Sequence, residues 1–139
     1  MTGEEPWSWA TNGPGVARAH LDVELPAGTW IRAVTTAFPD LTVRVLATFA
    51  TDAGVGLARF VGDDVDVALD AVRAAPDVTA LDVFETGDGT ALVRFETDRP
   101  VLVRAAQAVG VPLEPPVTVA RGRAELVVTA PADRLAALR

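Results

Sequence analysis

From position 17 onward apolar and polar residues alternate, with Ala17, Ala19, Leu21, Val23 and Leu25 set against Arg18, His20, Asp22 and Glu24. A period of two is the mark of a strand with one buried face. Ile31, Val34 and Phe38 then fall at helical spacing until Pro39-Asp40 ends the helix, and Leu41, Val43, Val45, Ala47 and Phe49 restore the period of two. Asp52-Ala53-Gly54 makes a tight turn into a strand from Leu57 to Val61. Asp63 or Asp64 caps a second helix, whose Val65, Ala68, Leu69 and Val72 form one apolar stripe and which closes at Pro76-Asp77. Val78 to Glu85 is the next strand. The order strand, helix, strand, strand, helix, strand is that of a split βαβ, or ferredoxin-like, unit: an antiparallel sheet with two helices on one face.

The pattern starts again at Asp88-Gly89, a hairpin signal into Ala91 to Glu96. Pro100 opens a helix with Leu102, Ala105, Ala106 and Val109 on one side and Gly110 at its end. Pro115-Pro116 precedes a short strand, Arg121-Gly122 turns it, Ala124, Leu126 and Val128 alternate, and Pro131 starts a last helix bearing Leu135 and Leu138. The fold class expected is therefore α+β, with tandem ferredoxin-like (ACT-like) βαββαβ units. The expected divisions are a flexible segment over 1–16, a first unit over 17–86 and a second over 87–139. The second unit reaches Arg139 without its last strand, so a partner, an open variant of the fold or further chain would have to complete it.

Phe49, Thr51, Gly54, Leu57, Arg59 and Phe60 recur 35 positions later as Phe84, Thr86, Gly89, Leu92, Arg94 and Phe95. Ala37, Pro39, Asp40 and Thr42 likewise match Ala74, Pro76, Asp77 and Thr79. The repeating unit is thus helix, Pro-Asp turn, hairpin, with a weaker third copy around Gly122. In the first sixteen residues, rich in Gly, Pro, Ser, Thr and Asn, Trp7 and Trp9 stand out. They read either as aromatic anchors for an apolar groove or as part of a frayed tail.

Lysine is absent: the 12 basic residues are all arginine, against 19 carboxylates, for a formal net charge of −7. Such a surface suits a salt-loving organism, because high ionic strength screens its self-repulsion. A GC-rich genome would also replace lysine with arginine. Acidity with dispersed arginines argues against direct nucleic-acid binding, which needs clustered cations. With no cysteine there is no thiolate chemistry, disulfide or Cys-based metal site, and a cytoplasmic home is the simpler reading. No apolar run reaches the roughly 20 residues of a membrane span.

Catalytic chemistry finds few carriers. The single serine, Ser8, sits in the expected tail, and the single histidine, His20, lies on the polar side of the first strand. Asp63, Asp64, Asp66 and Asp70 crowd together, yet Asp66 and Asp70 are one helical turn apart and off the apolar stripe, as on a solvated helix face. No metal or cofactor is expected, and an enzyme such as a small isomerase is the minor reading.

Several stretches resemble the N-terminal region of haloarchaeal helix-turn-helix regulators of the bacterio-opsin activator type. They are Val23-Glu24-Leu25-Pro26-Ala27-Gly28-Thr29-Trp30-Ile31, Ala37-Phe38-Pro39-Asp40, Pro76-Asp77-Val78, Asp88-Gly89-Thr90-Ala91-Leu92-Val93 and Pro112-Leu113-Glu114-Pro115-Pro116-Val117. The resemblance spans about Ala17 to Arg139 and implies a sensory or dimerising module, with DNA bound by a helix-turn-helix outside this sequence. No DNA-contacting or ligand residue carries over. A homodimer with a small-molecule effector is the expected assembly, and Trp30, Arg32 and Asp52 are the candidate ligand contacts. The alternative is a protein–protein interaction module without a metabolite.

Overall fold

Hairpins are the units from which this molecule is assembled, and they join edge to edge. The computed structural model describes residues 11–13, 16–50, 54–100 and 113–131. Its elements are β1 (Thr11–Gly13), β2 (Val16–Glu24), α1 (Trp30–Ala37), β3 (Thr42–Ala50), β4 (Gly54–Val61), α2 (Val65–Ala74), β5 (Val78–Gly87), β6 (Thr90–Thr97), β7 (Leu113–Ala120) and β8 (Arg123–Pro131). The eight strands form one antiparallel sheet in the order β1-β2-β8-β7-β3-β4-β6-β5. The fold is α+β.

The repeat of helix, Pro-Asp turn and hairpin is visible in three dimensions. α1 leads through Pro39-Asp40 into hairpin β3–β4, and α2 leads through Pro76-Asp77 into hairpin β5–β6. The third hairpin, β7–β8, turns at Arg121-Gly122, both with positive φ (52° and 77°), as a two-residue hairpin turn that follows the sheet's twist demands.

The strand order differs from that of tandem ferredoxin-like units. In a split βαβ unit the first strand lies beside the third; here β4 has β3 and β6 as neighbours, and β2 pairs with β8 from Val16↔Pro131 to Glu24↔Arg123. Strands on either side of position 86 therefore interleave in a single sheet, and β8 finds its neighbour in β2. The period of two specifies which face of a strand is buried, while the choice of neighbour is a long-range matter the pattern does not encode.

Three local expectations change as well. The strand expected after Pro115-Pro116 begins before it, at Leu113, and the ladder to β8 is interrupted between Glu114 and Thr118, where two prolines supply no N–H. Pro131, where the last helix was expected to open, is the closing residue of β8. Within the expected flexible segment 1–16, Thr11–Gly13 pairs with β2. Trp7, Trp9 and the helices expected from Pro100 and beyond Pro131 lie outside the described residues.

Both described helices pack on one face of the sheet, and one cluster joins them to it. α1 buries Trp30, Ile31, Val34 and Thr35, and α2 buries Val65, Ala68, Leu69 and Val72. The sheet answers with alternate residues: Val43 and Val45, Ala58 and Phe60, Ala91, Val93 and Phe95, Val117 and Val119, Ala124 and Leu126. At the centre the Trp30 indole stacks on Phe60 (centroids 6.4 Å apart) and meets Phe95 edge-on (5.0 Å). Phe60 and Phe95 are repeat-equivalent, so the two copies close on one tryptophan. Gly56 is required here, since a Cβ on it would lie 2.3 Å from Cζ of Phe95.

Candidate functional site

Of the residues nominated by sequence, Trp30 is in the core, only 4 % exposed, and serves packing. Arg32 is half-buried: its Nη1 donates to the carbonyl of Leu25 (2.6 Å) and lies 3.4 Å from the Glu24 carboxylate, tying α1 to the end of β2. Asp52 lies outside the described residues. The structure thus places Trp30 and Arg32 on the helix-bearing side, one inside the core and one at its rim. Asp63, Asp64, Asp66 and Asp70 are all exposed, and no three His, Cys, Asp or Glu side chains among the described residues come together as a metal site.

One buried carboxyl group escaped the sequence reading. Asp77, 5 % exposed, accepts the backbone N–H of Trp30 on Oδ2 at 2.9 Å, capping α1 from 47 residues away. The cap position of α1 is Thr29, whose own hydroxyl donates instead to Pro26 (2.9 Å), so Asp77 supplies the acceptor that a helix start needs. The Asp77 carbonyl in turn accepts from Thr97 Oγ1 (2.7 Å) and the Asp98 N–H (3.1 Å), and Arg99 reaches the Gly28 carbonyl at 3.0 Å. This network joins the second repeat to the loop before α1. On the other flank, Thr35 donates to Ile31 and accepts from the Gly122 N–H (3.0 Å), fastening the β7–β8 turn to the same helix. These contacts are structural, and they fix the sheet on which the more informative surface lies.

That surface is the face away from the helices. Its side chains are the other half of each alternation: Thr118 on β7, Arg44 on β3, Leu57 and Arg59 on β4, Leu92 and Arg94 on β6. No described helix covers it. Arg94 lies 2.8 Å from Glu96 and 3.6 Å from Asp82, and Arg59 lies 3.7 Å from Glu85. The repeat-equivalent arginines therefore both reach carboxylates of β5 or β6. Over β2, β8 and β7 the face dips into a shallow groove of about 430 Å³, lined by His20, Asp22, Pro116, Thr118, Glu125 and Val127. His20 is thus placed on the open face beside two carboxylates. Sequence alternation marked His20 and Asp22 as polar-side; only the strand order brings them beside Glu125 and Thr118.

No family model, curated protein or solved structure matches this chain. No helix among the described residues is long and apolar enough to cross a membrane.

Proposed function

We propose that this chain is a regulatory domain, sensory or dimerising, of a cytoplasmic haloarchaeal transcription regulator whose DNA-binding helix-turn-helix lies outside the sequence. The observation that carries the reading is the two-sidedness of the sheet. Helices fill one face with a closed core, and the other presents half-buried aliphatics set among arginines and carboxylates, a surface suited to contact more than to bond-making. The transcriptional setting comes from the resemblance of the Val23–Ile31, Pro76–Val78 and Pro112–Val117 stretches to bacterio-opsin activator-type regulators. What this reading shares with ACT-like modules is helices on one face of an antiparallel sheet; the strand order differs from theirs.

A second reading, an interaction module with no metabolite, is supported by the burial of Trp30, the one aromatic nominated for ligand contact. Two measurements separate the alternatives. Reading the source gene past codon 139 should reveal a basic helix-turn-helix; an immediate stop or an unrelated domain would overturn the transcriptional reading. Thermal unfolding against a panel of amino acids and nucleotides should show one compound raising Tm if the domain senses a metabolite, because a ligand that binds only the folded state stabilises it. A flat panel would favour the interaction module.

A further inference from the structure

Following the pairing register across the face that no described helix covers gives a row of directly opposed residues. Asp22 on β2 faces Glu125 on β8, Glu125 faces Thr118 on β7, Thr118 faces Arg44 on β3, and Arg44 faces Arg59 on β4. Two acids therefore lie one and two strands to one side of β7, and two arginines lie one and two strands to the other. Like charges directly opposed on a sheet repel, with Cβ atoms only about 5 Å apart. The outer members find relief within the chain: Asp22 accepts from Arg123 at 2.9 Å, and Arg59 lies 3.7 Å from Glu85. Both inner members, Glu125 and Arg44, are exposed and make no ion pair among the described residues.

We propose that this face is the interface with a second copy of the chain, related by a two-fold axis running along β7 at Thr118 between two facing sheets. Rotation about that axis exchanges the two sides of β7. Glu125 of each copy then lies over Arg44 of the other, and Asp22 over Arg59. Every like-charge pair within a sheet becomes an opposite-charge pair between sheets. Shape agrees with charge, because the groove lies on the acid-bearing side over β2, β8 and β7 and would receive the longer arginine and leucine side chains of the other copy's β3 and β4. The axis crosses the middle of the sheet, where strands of two aligned sheets stay close before twist carries the edges apart. An isologous contact of this kind closes at two copies. The proposal rests on reading this face as a contact surface, and it is independent of the transcriptional setting.

Sedimentation equilibrium on the wild-type chain, Arg44→Glu, Glu125→Arg and the double variant tests it. Wild type should form a dimer, and each single reversal should raise the dimer Kd by about tenfold or more, since each places like charges together at two symmetry-related points. The double variant restores opposite charges across the axis, so most of the lost affinity should return. A monomeric wild type, a dimer unmoved by either reversal, or a double variant no better than the singles would each overturn the proposal; the last two would assign self-association to another surface. Both residues are exposed, so far-UV circular dichroism should report the native fold in all four proteins. If a reversal unfolds the chain, Arg44→Gln and Glu125→Gln replace it, each with a smaller rise in Kd.

Discussion

On the helix-bearing face Val43, Ala58, Phe60, Val93, Val117 and Val119 are sealed from solvent, and the buried polar side chains Thr29, Thr35, Asp77 and Thr97 each hold a hydrogen bond. On the opposite face the same strands show Arg44 exposed and Arg59, Leu92, Arg94 and Thr118 part-exposed, with like charges opposed in register. One face is internally satisfied, while on the other Arg44 and Glu125 are exposed and make no ion pair among the described residues. The contrast separates residues that hold the fold from residues available to a partner, and substitutions on the two faces should differ in what they change.

The largest effect is expected at the centre of the closed face. Trp30→Ala removes the ring between Phe60 and Phe95 and should cost about 3–5 kcal/mol in urea unfolding. A cost below about 1 kcal/mol would mean that the two repeats do not close on this residue. Gly56→Ala drives a methyl into the Phe95 ring and should cost roughly 1–3 kcal/mol by the same measurement.

Asp77 and Asp40 sharpen the comparison, because the repeat gives them the same Pro-Asp setting. Asp77 is buried on the α1 N-terminus and Asp40 is exposed. Asp77→Ala leaves the Trp30 N–H without its acceptor and should destabilise by about 1–3 kcal/mol. Asp40→Ala should stay within about 0.5 kcal/mol. Equal losses at both positions would contradict the cross-repeat cap. The smallest stability effect is expected on the open face, where Arg44→Gln should leave the monomer's unfolding within about 0.5 kcal/mol of wild type.

Much of the closed face was legible in the sequence. Val65, Ala68, Leu69 and Val72 were read as one stripe and are all buried, and the period of two placed Val43, Val45, Ala124 and Leu126 inward. Pro39-Asp40 and Pro76-Asp77 marked helix ends because proline cannot continue a helix. What the pattern lacked was partnership. Nothing local tells β2 that it will pair with β8, and the prolines that weaken the ladder at the start of β7 hid the first residues of that strand. Asp77 looked like its repeat mate Asp40 because a cap contributed from 47 residues away leaves no local signature. The row from Asp22 to Arg59 was equally invisible, since its members come from five strands whose order had to be known first. Arg44 and Glu125, the pair on which the self-association argument turns, were simply two polar positions among many.

The most direct test of that argument uses the absence of cysteine. Thr118→Cys places one thiol at the proposed axis, and Asp66→Cys places one on the exposed side of α2. Treated with a short bis-maleimide, the Thr118→Cys protein should be captured as a covalent dimer in high yield while the Asp66→Cys protein stays monomeric. Equal capture at both positions, or none at 118, would contradict a dimer built across the open face of the sheet.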